Sequence, residues 1–274
     1  MSKCDSCSEK SSCSGKENCN IMEHKGNIKN IIGVISGKGG VGKSTVTTLL
    51  ATLLKKSGYK VGILDADITG PSIPRLFGIN EERATIKQVG EDKAEFEPVE
   101  TKTGIKVMSL NLLIQNEDDP VIWRGPMITG VLNQMYGDTN WGDLDYLLID
   151  MPPGTGDIAL TVMQSIDLSG IVVVSTPQDM VSMIVKKVIT MAQKMNIDVM
   201  GVIENMSYIK CGSCGEKTRI FSKKPAEEHA KYLGVKLLAE LPVDLDLIER
   251  MEKGEIEDYI IYNVEYDKIV NEIV

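Results

Sequence analysis

Residues 37–45 read GKGGVGKST, in which glycines, a lysine and two hydroxyls fall at the spacing G-x4-G-K-[ST]. Gly37, Gly39, Gly40 and Gly42, with Val41 between them, let backbone N–H groups close around an anion, and a following helix N-terminus adds its partial positive charge. Lys43 is placed to reach the β and γ phosphates of a nucleotide, Ser44 to put a hydroxyl on Mg2+, and Thr45 to contact the α phosphate.

Carboxylates follow in an order that suits the same chemistry. An apolar run at 60–64 ends in Asp65 and Asp67, and a buried-type run at 145–149 ends in Asp150, followed by MPPGTGD. Acids at strand tips lie where ligands of open α/β sheets bind. Asp65 and Asp67, two residues apart, point the same way if the strand continues, and one or both can face the γ-phosphate. Asp150 has the position of an acid that supports Mg2+ opposite Ser44. Gly154 can bring its N–H to the γ-phosphate with no side chain in the way. Asn205, after the run 199–203, carries both a donor and an acceptor, suited to an adenine edge or to a cap.

The six cysteines form two groups. Cys4, Cys7, Cys13 and Cys19 have the spacing C-x2-C-x5-C-x5-C, and Cys211 and Cys214 form a second C-x2-C. In a reducing compartment such clustering favours metal ligation over disulfides. Four soft thiolates suit zinc or an iron-sulfur cluster equally. The late pair, with a glycine after each cysteine, makes only half of a tetrahedral site or of a 4Fe-4S site, which a two-fold dimer would complete. A redox disulfide and a zinc knuckle are the competing readings.

The elements that must position these groups can be traced along the chain. A β-branched apolar run at 31–35 precedes the glycine loop, and a helix-like pattern at 44–56 follows it. Further strands are expected at 105–111, 145–150, 170–176, 199–203 and 236–241, and helices from Pro126 and over 179–195. Residues 78–104, charged and aperiodic, read as a surface excursion or hairpin. The expectation is an α/β fold with a mostly parallel central sheet flanked by helices over residues 30–274, preceded by a flexible cysteine-rich arm over 1–29. His24 reads as solvated linker, Trp123 as core and Arg124 as a surface charge.

Composition narrows the function. A net charge of −9 and an isoelectric point near 4.9 speak against a broad nucleic-acid surface. No apolar run reaches the roughly 18 residues of a membrane span, and residues 262–274 lack the lysine-rich face of an interfacial helix. The start, MSKCDSCSEK, has no secretory apolar segment, so the cytoplasm is the expected compartment.

Lys38, directly after the first glycine, is not needed by an ordinary phosphate loop. With it the chain resembles the signature-lysine ATPases, among them MinD, ParA, the arsenite and tail-anchor ATPases and the nitrogenase iron protein. DADITGPSIPRLFG (65–78), WRGPM (123–127), DMPPGTGD (150–157), ENMSY (204–208) and the Cys211/Cys214 pair together resemble the Mrp/ApbC family of iron-sulfur cluster carriers from about Lys29 onward. The resemblance implies a P-loop ATPase homodimer that binds ATP and Mg2+, holds a 4Fe-4S cluster between Cys211 and Cys214 of two subunits, receives it from cluster donors and passes it to apo iron-sulfur proteins. It further implies that Lys38 reaches the partner's nucleotide, that Asp67 activates water, that Asn205 contacts the base, and that Pro242 and Asp244 cover the adenine, Asp244 otherwise being an N-cap. The N-terminal cysteines resemble an extra cluster site of the eukaryotic scaffold branch, without that branch's further upstream cysteine. A ParA- or MinD-like positioning switch and a nitrogenase-iron-protein-like electron donor are the alternatives. The first does not need Cys211 and Cys214, and the second carries its cysteines mid-chain. A nucleotide-gated scaffold with negligible turnover is a third.

Overall fold

The computed structural model describes residues 21–68, 70–89, 94–114 and 125–274. Cys4, Cys7, Cys13 and Cys19, and also Thr69, Trp123 and Arg124, lie outside the described residues. The chain runs β1 (Lys25–Ser36), α1 (Lys43–Lys56), β2 (Val61–Asp65), α2 (Ile73–Leu76), β3 (Thr85–Gln88), β4 (Ala94–Glu97), β5 (Val99–Glu100) and β6 (Lys106–Met108). It continues through α3 (Gly125–Gly137), β7 (Asn140–Asp150), α4 (Asp157–Ser165), β8 (Gly170–Ser175), α5 (Asp179–Lys194), β9 (Val199–Lys210) and β10 (Lys217–Arg219). The last elements are α6 (Ala226–Leu233), β11 (Leu237–Pro242), α7 (Leu245–Glu252) and α8 (Ile256–Tyr262).

Nine strands form one sheet in the order β10-β9-β8-β1-β7-β2-β6-β5, with β11 also paired to β9. Every pair is parallel except β5–β6 and β9–β10. β2 and β8 are buried along their whole length, as strands covered on both faces must be, which is why they read as continuous apolar runs. Helix α1 is sequestered too: Val46, Leu49, Leu50, Leu53 and Leu54 are all buried beside β7, β2 and α8. α5 packs on β8 and β9 beside α6. The parallel register sets Val34 and Asp65 opposite Asp150, so the loop after β1 and the acids of β2 and β7 meet at one sheet edge.

Four expectations change. β1 starts at Lys25, so residues 25–29 belong to the sheet and the boundary expected at 29/30 moves back. The cause is that β7 also begins early, at Asn140, pairing with Lys25, while Gly26 and Gly142 touch backbone to backbone. His24 is no solvated linker: its ring meets Tyr136 edge-on at 5.5 Å, and its Nδ1 is buried. The strand expected over 105–111 stops at Met108 and turns into a 3-10 helix at Leu110–Leu112. β9 runs seven residues beyond 203, because β11 and β10 supply partners for its second half. The excursion contains the antiparallel β3–β4 hairpin, as expected.

Candidate nucleotide and thiolate sites

The loop between β1 and α1 is held from behind and open in front. A Cβ on Gly37 would lie 3.0 Å from the Val185 backbone nitrogen, tighter than ordinary contact, so glycine lets α5 back the loop closely. Gly42 sits at φ +81°, and a Cβ there would fall 2.3 Å from Asn205 Nδ2. Lys38, Gly39 and Gly40 are exposed, and a Cβ on Gly39 or Gly40 would meet nothing within 4 Å. Asn205 Nδ2 donates to the Val41 carbonyl at 3.0 Å, pinning the loop's crest. The residue expected to contact the base thus also fixes the loop.

Beneath the loop, Asp150 is fully buried and accepts from Lys43 Nζ at 2.6 Å, Ser44 Oγ at 2.7 Å and Thr47 Oγ1 at 2.7 Å. Asp67 Oδ2 lies 3.4 Å from Lys43 Nζ. Lys43 is therefore buried between two carboxylates, and phosphate oxygens would compete with them for its ammonium. The hydroxyl and carboxylate of Ser44 and Asp150 form the hard-oxygen pair that suits Mg2+. Thr47, one turn into α1, is the partner missed from sequence, although its i+4 spacing from Lys43 marks it on the same helix face.

Asp65 lies one layer deeper. It accepts from Ser109 Oγ at 3.1 Å, from the N–H of Asp67 at 3.2 Å and from the N–H of Ile73 at 3.4 Å. Burial, reinforced by the Asp150 charge, pushes its carboxyl up to about 8. Its depth, with no exposed surface, sets it apart from Asp67. Gly154, at φ +83°, lies beside the loop, and its N–H, expected to face a γ-phosphate, here donates to the Ser36 carbonyl at 2.7 Å. Engaging a phosphate would release that bond. Thr45 lies partly exposed on the first turn of α1.

Pro242 pairs opposite Tyr208 on β9. The Asp244 carboxylate caps α7 by accepting from Leu247 N–H at 3.0 Å, and it also accepts from Tyr259 Oη at 2.8 Å and Tyr266 Oη at 2.6 Å. The N-cap alternative accounts for that side chain. Burial and this carboxylate push the Tyr259 phenol up to about 12.

Cys211 and Cys214 occupy the turn of the β9–β10 hairpin, both exposed. The Gly215 N–H closes the turn on the Cys211 carbonyl at 2.8 Å, with Gly215 at φ +74°. Backbone N–H groups of Cys214 and Ser213 face the Cys211 sulfur and hold its thiol below the usual range. Among the described residues, no three His, Cys, Asp or Glu side chains gather to hold a metal. No helix among the described residues is long and apolar enough to cross a membrane.

Comparison with known proteins agrees with this geometry. A family model described as the ParA, NUBPL iron-transfer P-loop NTPase matches residues 27–274. An iron-sulfur cluster carrier protein of Clostridium perfringens is 62% identical over 269 residues, covering 97% of this chain and 94% of its own. One from Methanocaldococcus jannaschii is 45% identical, covering 92% and 88%. The nucleotide-binding protein of Archaeoglobus fulgidus, solved with ADP, superposes with a TM-score of 0.72 at 46% identity over 85% of this chain and 89% of its own. The Pyrococcus furiosus cell division ATPase MinD shares the fold, with a TM-score of 0.60 at 21% identity, covering 89% and 98%. On the match over residues 27–274 and the carrier relatives together, the chain belongs to the NUBPL iron-transfer P-loop NTPases of the ParA group.

Proposed function

We propose that the protein is an ATP-dependent iron-sulfur cluster carrier that works as a homodimer. A 4Fe-4S cluster, its cargo, would be bridged by Cys211 and Cys214 of both subunits, accepted from a donor and passed to apo-proteins. The observation that carries this reading is the exposed hairpin pair, thiolate-prone at Cys211 and lacking further ligands among the described residues. Soft sulfur ligands and an incomplete set at a surface suit a cluster that must be handed on. Cys4, Cys7, Cys13 and Cys19 would add a second soft-metal site, and the expected setting is the cytoplasm, without nucleic acid or membrane.

ATP would lie along residues 37–45, with Asn205 at its base and Pro242 and the backbone at Asp244 beside the adenine, the Asp244 carboxylate remaining the cap of α7. Ser44 and Asp150 would hold Mg2+, which neutralises developing phosphate charge when bound. Asp67 would orient the attacking water. As water oxygen bonds to the γ-phosphorus, the bond to the β–γ bridging oxygen breaks, giving ADP and phosphate. Lys43 and the exposed Lys38, supplied across the dimer, would stabilise the charge on the transferred group. The test is iron and acid-labile sulfide per chain after anaerobic reconstitution, in wild type and in the Cys211→Ala, Cys214→Ala double variant. Iron and sulfide that fall in the variant while ATP binding persists would support the carrier. Folded, ATP-competent wild type with neither would point to a cysteine-independent switch ATPase.

A further inference from the structure

β9 does not run straight from the nucleotide loop to the cysteine hairpin. Met206, in its middle, has φ +56°, a left-handed conformation that non-glycine residues rarely adopt. Beside it the register between β9 and β11 shifts. On one side of this kink Asn205 grips the Val41 carbonyl, and on the other β9 continues into Cys211.

A chain of largely buried side chains spans the kink. Ser207 Oγ donates to Glu204 Oε1, closing the backbone around Met206. Glu204 Oε2 lies 2.5 Å from His229 Nδ1, and His229 Nε2 lies 2.6 Å from Ser182 Oγ. A carboxylate can only accept, so Nδ1 carries a hydrogen, and the Ser182 hydroxyl stands between His229 Nε2 and the Gln178 carbonyl at 3.3 Å. Glu204 is 1% exposed and Ser182 5%. The order acid, imidazole, hydroxyl is that of a hydrolytic set. Ser182, though, is buried within the first turns of α5, where it holds rather than attacks.

The two ends of this chain are the two supports of the phosphate loop. Ser182 lies one turn before Val185, whose backbone presses on Gly37, and Glu204 immediately precedes Asn205. Ser182, Glu204 and His229 also border a cavity of about 360 Å3, which leaves room for a second arrangement. We infer that Ser182, His229 and Glu204 form a positioning relay that fastens the Met206 kink to α5 and so couples the phosphate loop to the cysteine hairpin. This deepens the carrier reading by naming how nucleotide would reach the thiolates, and it rests on that reading only for what the hairpin carries.

The test needs no cluster. Full-length reduced protein is alkylated with iodoacetamide, with and without Mg-ATP, and the rate at Cys211 and Cys214 is read by peptide mass mapping. In wild type Mg-ATP should change that rate about threefold or more. Loss of a buried hydrogen bond is worth about fivefold in an equilibrium, so Ser182→Ala and His229→Ala should cut the response below about 1.5-fold. Both should still bind ATP, and Ser182→Thr, which keeps the hydroxyl, should restore the response. If His229→Ala fails to fold, Ser182→Ala, the smaller change, decides. A full response in Ser182→Ala, or none in ATP-bound wild type, overturns the relay. Protein that holds no iron or sulfide yet shows a relay-dependent response would sink the carrier reading alone.

Discussion

Replacing Asp150 with Asn tests the charge arrangement beneath the loop. The carboxylate is fully buried and accepts three hydrogen bonds, two of them from the loop lysine and serine. Asn keeps the shape but removes the charge that neutralises Lys43, itself 7% exposed, leaving Asp67 at 3.4 Å as its carboxylate partner. One of the three donors would also face an amide NH2. Breaking a buried pair from one side costs about 3–5 kcal/mol. The remaining carboxylate and the retained shape put the expected loss near the lower bound, about 3 kcal/mol. At roughly 2–4 °C per kcal/mol for a chain of this size, the Tm should drop by about 6–12 °C. Nucleotide binding should respond differently. Lys43, freed from its strongest competitor, should keep ADP affinity without Mg2+ within about threefold of wild type, whereas the gain in affinity on adding Mg2+ should vanish. Thermal unfolding and calorimetric titration of ADP with and without Mg2+ measure both. A Tm within about 2 °C of wild type, or an intact Mg2+-dependent gain, would refute the assignment of Asp150.

Three further outcomes are expected. Asp65 keeps its proton in the folded chain up to about pH 8, whereas unfolded Asp releases it near 3.9. Its contribution to stability therefore falls as pH rises from about 4 through 8. Asp65→Asn, which mimics the neutral acid, should flatten the urea midpoint between pH 6 and 8.5, and parallel curves for the two proteins would contradict this. Gly42→Ala, strained at φ +81° and colliding with Asn205, should lower ADP affinity by about tenfold or more, while Gly39→Ala, which meets open space, should leave the Tm within about 1 °C. Equal damage from the two would mean the loop is not held as described. Cys211, whose thiol is held low by two N–H groups, should be alkylated faster than Cys214 at pH 7, read by fragment-ion mapping. Equal rates would count against those N–H contacts.

The fold was legible wherever a strand is buried on both faces. Residues 31–35, 60–64, 145–150 and 170–176 announce themselves as apolar runs because helices cover both sides of the sheet there. Legibility failed at strand ends. Lys25 to Lys29 are mostly polar yet paired, since β7 supplies the ladder and, Ile28 apart, their side chains need not be buried. The second half of β9, ENMSYIK, contains an acid and an amide that argue against a strand. Its partners, β10 and β11, come later in the chain, and no local pattern foretells them.

The site divides along the same line. That the loop, Lys43, Ser44 and Asp150 come together was readable, because the order strand, glycine loop, helix and the parallel register bring them to one sheet edge. The functions of Asp65 and Asp67 are not separable by spacing. What separates them is depth, 0% against 14% side-chain exposure, and depth depends on Ser109 and on where the chain leaves β2. Ser182, Glu204 and His229 carry no shared motif, because they come from α5, β9 and α6 and meet only through packing. The left-handed Met206 is the least readable of all. Sequence favours glycine or asparagine at such a φ, so a methionine there means that contacts on both flanks outweigh its local preference. Those contacts are Asn205 on the phosphate loop and the Ser207–Glu204 bond on the relay. The strain therefore sits between the glycine loop and the cysteine hairpin, where the proposed relay would pass a change at one to the other.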